Sequence, residues 1–216
     1  MKITSTLFDS TQRRLITGAH DGTIKLWNFS TGQPLKEFVD FGEGEVTGIA
    51  CMHMTPYDYV LATGWNRKVT FWLDPHSLPA DKAAAMPTLQ PQHHMEGPAE
   101  DILCMACYPE IHLLVTGAYD GDIIIWNLDS GHPRVHLVLP GLASLKTQQK
   151  PIEAMQLVGI RSDFRHKFEK KKKVDNIVVL LITASGDGVI RIWSTDSTAE
   201  LLLGNLLICR KHSVQS

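Results

Sequence analysis

Four copies of one hairpin pattern, each ending in tryptophan, constrain this chain more than any other feature. Residues 15–28 read LITGAHDGTIKLWN, two short apolar runs joined by the polar turn His20-Asp21-Gly22. Asp-Gly between two such runs is a strong hairpin signal, because glycine accepts positive φ and the turn then matches the twist of the strands. The pattern recurs as LATGWNRKVTFWL (61–73), LVTGAYDGDIIIWN (114–127) and ITASGDGVIRIWS (182–194). In each copy a turn Asp or Asn precedes a Trp by six positions: Asp21 and Trp27, Asn66 and Trp72, Asp120 and Trp126, Asp187 and Trp193. An internal repeat of this kind fixes the architecture.

Strands and turns flank each hairpin. Residues 3–8 and 35–39 complete a first four-stranded unit. The second has strands at 46–52, 59–65 and 68–73. Its surroundings then change: the stretch 75–98 holds Pro75, Pro79, Pro87, Pro91 and Pro98, and proline disrupts central strands. This stretch reads as an insertion carrying an edge strand near 86–90. The third unit spans strands at 101–108, 113–119, 122–128 and 135–139. The fourth has strands at 152–158, 177–184 and 188–193, with 201–209 to complete it and a charged insertion at 159–176. The tryptophans lie 45, 54 and 67 residues apart, and the two insertions account for the longer intervals. The reading is a single all-β domain over 1–216, with units near 2–40, 45–90, 100–140 and 151–209 and an irregular tail at 210–216. Runs such as IVVLLI and DIIIW are apolar on both faces, as sheets covered on both sides require.

Composition narrows the function classes. The chain is 44% hydrophobic and 20% charged, a globular rather than a disordered balance. A net charge of -2 provides no global field for nucleic acid or membrane. Four cysteines, Cys51, Cys104, Cys107 and Cys209, are too sparse for a disulfide scaffold. The first ten residues lack the apolar segment of a secretion signal, and the expectation is a cytosolic protein.

The four units resemble WD40 repeats, and the resemblance covers nearly the whole chain. Its blades carry a Ser or Thr in the second strand, an Asp in the turn and a Trp in the third strand. Those positions fall on Thr17, Asp21 and Trp27; Thr63, Asn66 and Trp72; Thr116, Asp120 and Trp126; and Thr183, Asp187 and Trp193. The resemblance implies that these side chains hydrogen-bond within a blade, with a histidine from the preceding loop. A buried indole N–H and a buried carboxylate are costly unless paired. Three departures stand out. Asn28, Leu73, Asn127 and Ser194 replace the Asp after each Trp. The Gly-His pair is missing before units two and four, and His93 or His94 could serve unit three only with shifted spacing. Unit two has Asn66-Arg67 in place of Asp-Gly and appears one residue short before its turn.

The resemblance implies a β-propeller with about four blades. A wedge suited to a seven-fold ring covers about 51°, so four cover roughly 205° and leave an incomplete ring. The gap would expose an apolar sheet face, where repeat stacks normally need a polar cap. A shortened or partial version of a larger protein is the corresponding expectation. The wording GAHDGTIKLWNFSTGQ and the long insertions are also similar to large ciliary (axonemal) WD-repeat proteins.

Cys104 and Cys107 with His93 and His94 suggest zinc, but an odd spacing on a strand puts the two thiols on opposite faces. His132 and His136 lie about 13 Å apart on a strand. Gly42-Glu43-Gly44 with Gly48 leads into a strand rather than the helix a dinucleotide loop requires. Neither a nucleophile-elbow nor a His-Glu-x-x-His motif is present. No catalytic, metal or cofactor site is therefore expected.

Two features suggest partners. The run RSDFRHKFEKKKK at 161–173 ends in Lys170, Lys171, Lys172 and Lys173. It reads as a solvated loop, as a patch for an acidic partner such as tubulin tails, or as a nuclear-localisation patch. The residue before each turn Asp or Asn should reach one rim: His20, Trp65, Tyr119 and Gly186. Aromatic side chains are favoured binding anchors, so Trp65 beside Arg67 is the leading contact candidate, against the alternative that Trp65 packs under a loop. The combined expectation is a non-catalytic protein–protein scaffold, with the resemblance pointing to a ciliary component; the alternatives are a substrate-receptor adaptor of an enzyme complex and, from another class, a propeller-fold hydrolase.

Overall fold

The computed structural model describes residues 2–9, 11–137, 150–161, 177–195 and 202–207. Alternating apolar runs and tight turns form four sheets in chain order, one per hairpin copy. Blade 1 comprises β1 (Ile3–Phe8), β2 (Arg14–Ala19), β3 (Ile24–Asn28) and β4 (Pro34–Phe38). Blade 2 begins with β5 (Val46–Met54), β6 (Tyr57–Gly64) and β7 (Lys68–Leu73). After β7 come a 3-10 turn at Pro75–Ser77, the short helix α1 (Ala80–Ala85), β8 (Thr88–Leu89) and β9 (His93–Glu96). Blade 3 is β10 (Ile102–Tyr108), β11 (Leu113–Ala118), β12 (Ile123–Asn127) and β13 (His132–Leu137). Blade 4 is β14 (Ile152–Arg161), β15 (Ile177–Ser185), β16 (Val189–Ser194) and β17 (Leu202–Leu207).

The proline-rich stretch differs from its sequence reading. The expected edge strand at 86–90 exists as β8, but it does not close blade 2. It pairs in parallel with β4 and adds a fifth strand to blade 1. Blade 2 is closed instead by β9, antiparallel to β7. Two prolines, Pro87 and Pro91, flank β8, and a two-residue edge strand accommodates them at its ends.

Each innermost strand, β1, β5, β10 and β14, carries a register shift near its start. A bulge bends the strand and increases its twist. The innermost strands meet in sequence, β1 with β5, β5 with β10 and β10 with β14; among the described residues no comparable contact joins blade 4 to blade 1. This is a partial WD40-type propeller, an arc rather than a closed ring.

Three apolar cores fill the three junctions. Ile16, Ile24 and Leu26 of blade 1 meet Val46, Val60 and Trp72 of blade 2. Leu61, Val69 and Phe71 of blade 2 meet Leu114 and Trp126 of blade 3. Leu113, Val115, Ile123 and Ile125 of blade 3 meet Ile152, Leu181 and Trp193 of blade 4. Strand alternation explains this economy: odd and even positions of one strand serve different neighbours. Each of these tryptophans therefore faces the preceding blade. One recurrent position, glycine in blades 1 and 3, Thr63 in blade 2 and Ala184 in blade 4, lies where the next blade approaches most closely. A Cβ on Gly18 would stand 2.5 Å from Val46 Cγ1, and one on Gly117 would stand 2.7 Å from Ile152 Cγ2.

Candidate partner-binding rim

The repeat hydrogen bond forms in three blades. Trp27 Nε1 donates to Thr17 Oγ1 at 2.8 Å, Trp126 to Thr116 at 3.0 Å and Trp193 to Thr183 at 2.9 Å. Blade 2 departs from this pattern, and Thr63 must be reassigned. The residue two positions beyond the strand partner of Trp72 is Ala62, not Thr63. Blade 2 is thus not short; it has alanine where the others have threonine. Thr63 lies one step off, on the opposite face, and its buried hydroxyl has no partner among the described residues. Trp72 donates instead to the carbonyl of Val39 in the preceding connector, at 3.0 Å.

The turn carboxylates and Asn66 serve their own turns. Asp21, Asn66, Asp120 and Asp187 each accept from the backbone N–H two residues on, at 3.0–3.2 Å. Asp187 also accepts from Arg191 and Ser185. Although burial opposes it, these bonds hold the Asp187 carboxyl down at about 2. For Asp120, burial dominates and raises the pKa. His93 and His94 are not members of a blade 3 network: both sit on β9 of blade 2, where the His93 ring lies tilted against Phe71 at 5.7 Å.

The cysteines follow strand alternation. Cys104 lies in the core between blades 3 and 4, and Cys107 packs against the core between blades 2 and 3. Burial pushes the thiols of Cys51, Cys104 and Cys107 up to about 12. Among the described residues no group of three or more His, Cys, Asp or Glu could hold a metal ion.

One rim is built by a recurrent bond. The turn residue before each Asp or Asn donates its N–H to the residue preceding an innermost strand: His20 to Lys2, Trp65 to Glu45, Tyr119 to Asp101 and Gly186 to Pro151, at 2.8–3.0 Å. This fixes the candidates in one row. Trp65 is 40% exposed, so it does not pack under a loop. The His20 ring meets it edge-on at 5.4 Å, and His20 Nδ1 lies 2.7 Å from Glu45 Oε2. Arg67 Nε donates to Asp101 Oδ1 at 3.1 Å, with Glu100 further out at 3.9 Å. Tyr119 follows, 43% exposed. Lys170 to Lys173 lie outside the described residues.

Glu45 and Asp101 were not singled out from the sequence. Each uses its backbone carbonyl for its own blade and its carboxylate for the blade before. The available signal was an acid immediately before the first strand of units two and three. Arg67 is also unusual in its backbone. Gly22, Gly121 and Gly188 adopt positive φ at the equivalent position, and Arg67 does so at φ 61°. A side chain there costs about 1–2 kcal/mol.

The arc of Trp-anchored blades, with aromatic side chains exposed along one rim, defines a repeat protein of propeller type. The model for the WD domain, G-beta repeat, matches residues 1–28 and 89–127. The chain is 31% identical over 136 residues to the WD repeat-containing protein on Y chromosome of Drosophila ananassae, covering 62% of this chain and 11% of that protein. The namesake proteins of Drosophila willistoni and Drosophila grimshawi are each 30% identical over the same length. The chain thus spans only about a tenth of the curated relatives it matches. Over these residues the chain is similar to WD40-repeat proteins.

Proposed function

We propose that this chain is a non-catalytic docking scaffold whose partner binds the rim of His20, Trp65, Arg67 and Tyr119. The observation that carries this is Trp65, held edge-on by His20 yet left 40% exposed. An aromatic in a fixed orientation loses little conformational freedom on binding, which favours a contact anchor. Arg67 reinforces the reading, because backbone strain concentrates at functional positions.

The finer proposal is a cytoplasmic component of cilia that meets tubulin or another axonemal protein. The similarity of the turn wording to axonemal WD-repeat proteins supports it, as does the Lys170–Lys173 run, whose charge suits acidic tails. Affinity capture from ciliated and non-ciliated cells, using wild type and Trp65→Ala, tests both levels. The rim reading expects Trp65→Ala to lose partners with its circular dichroism unchanged. Partners retained by a folded Trp65→Ala protein refute the rim, and a partner set without cytoskeletal proteins refutes the ciliary proposal.

A further inference from the structure

The two ends of the arc carry complementary halves of the junction that the molecule already builds three times. The leading half of a junction consists of four strand positions. They hold Ile16, Ile24 and Leu26 with Arg14 in blade 1, and Leu113, Val115, Ile123 and Ile125 in blade 3, as the strand registers show. In blade 4 the same registers hold Leu180, Ile182, Ile190 and Ile192. These four aliphatic side chains remain half-exposed, and Val178 and Ile160 beside them are exposed.

The receiving half is just as regular. Val46, Ile102 and Ile152 open their blades opposite Gly64, Ala118 and Ser185, and all three are fully buried by the preceding blade. The corresponding residue of blade 1 is Ile3, opposite Ala19, and it is 53% exposed. Cys51, Cys107 and Leu157, partly buried against the neighbouring core, correspond to Phe8, which is 43% exposed. Trp72, Trp126 and Trp193 are buried, whereas Trp27 is half-exposed although its bond to Thr17 is intact.

We infer that blade 4 of one copy of this chain docks on blade 1 of a second copy, and that the reciprocal contact closes the pair. The occupant is specified by the molecule itself. Three internal examples show that the face formed by these positions is covered by the Trp-bearing face of the next blade, and blade 1 presents such a face. Two arcs of four blades related by a two-fold axis make a ring of eight, within the range propellers adopt, with each blade covering about 45° in place of the roughly 51° of a seven-fold wedge. Charge fits as well. At the inner edge, Thr47 Oγ1 donates to Ile102 O across the junction of blades 2 and 3. Glu153 stands at the Thr47 position of blade 4; its carboxylate cannot donate to the Ile3 carbonyl as Thr47 does to Ile102, but it matches the opposite charge of Lys2, which immediately precedes Ile3.

Sedimentation equilibrium on the purified 216-residue chain tests this. The expected mass is twice the 24.1 kDa of one chain. Ile192→Glu and Phe8→Glu, on opposite faces, should each give a monomer with unchanged circular dichroism. Mixed together they should regain dimer, because one of the two junctions in the mixed pair has both native faces. Internal geometry also names a crosslink. Gly18 and Gly117 abut Val46 and Ile152, so Ala184 of one copy should abut Ile3 of the other. A chain carrying both Ala184→Cys and Ile3→Cys should oxidise to a covalent dimer. A monomeric wild type overturns the proposal, as does a dimer that survives both Glu substitutions. A ladder of trimers and larger species overturns ring closure, and so does mixing that restores nothing while both variants remain folded.

Discussion

Blades 2 and 3 share one hairpin pattern but are held in different ways. Blade 3 is secured from within: Trp126 bonds to Thr116 on the adjacent strand of its own sheet. Blade 2 is secured from outside. Trp72 bonds to Val39, Asn66 Nδ2 donates to Phe41 O at 2.6 Å, and Asp74 receives a two-pronged bond from Arg14 of blade 1 at 2.7 and 2.9 Å. The same fold can thus be reached with the anchoring bond inside a repeat or across its boundary. Only the second arrangement makes two blades one cooperative unit, since blade 2 depends on groups that blade 1 positions.

The largest expected effect is from Asp74→Ala. It strips Arg14, a mostly buried guanidinium, of two charged hydrogen bonds, at a cost of about 3 kcal/mol. Hydrogen exchange should show β2, β6 and β7 losing protection together, with β11 and β12 little changed. Equal loss in blade 3 would end the distinction between the two modes.

Acid is the next probe. Burial disfavours the Asp9 carboxylate, but bonds from Thr11 and from the Arg14 backbone and side chain prevail and hold it down at about 2. Its folded pKa lies below the unfolded value of about 4, so its stabilisation is complete above that value. The stabilisation, on the order of 2 kcal/mol, disappears as pH falls through about 2. Asp120 in blade 3 has the opposite shift, so its protonation favours the folded state. Exchange measured at falling pH should therefore expose blades 1 and 2 before blade 3.

The comparison is sharpened by one substitution made twice. Thr116→Val removes the acceptor of a buried indole N–H and should cost about 1–2 kcal/mol. Thr63→Val removes a buried hydroxyl with no partner among the described residues and should gain about 1 kcal/mol. Denaturant midpoints measure both, and equal signs would refute the register that assigns the position to Ala62.

The smallest effect is expected at Arg67→Gly. It relieves the left-handed strain and loses an exposed ion pair, leaving a gain of under about 1 kcal/mol. Partner capture should weaken at the same time. A variant that is both less stable and fully binding would contradict the role given to Arg67.

The fold was legible because its signals are local. Asp-Gly turns and a Trp at fixed distance specify hairpins, and apolar runs on both faces specify stacked sheets. What escaped depended on contacts between units. Thr63 looked like the family threonine because it neighbours the correct position; only counting back from Trp72 identifies Ala62. The closing strand of blade 2 was missed because β9 pairs with β7 across residues 74–92, most of them in the proline-rich stretch. The rim residues were legible as positions, but Glu45 and Asp101 gain their roles only when adjacent blades come together.

The strap formed by β8 bears on how the protein is made. Lys36 of blade 1 donates to the carbonyls of Ala83 and Met86, and Val39 N–H to that of Leu89. The outer border of the first sheet therefore remains unfinished until the ribosome has released residues well beyond the second hairpin. An emerging chain halted between the two would expose an open strand edge, and translation speed through that interval becomes a determinant of yield.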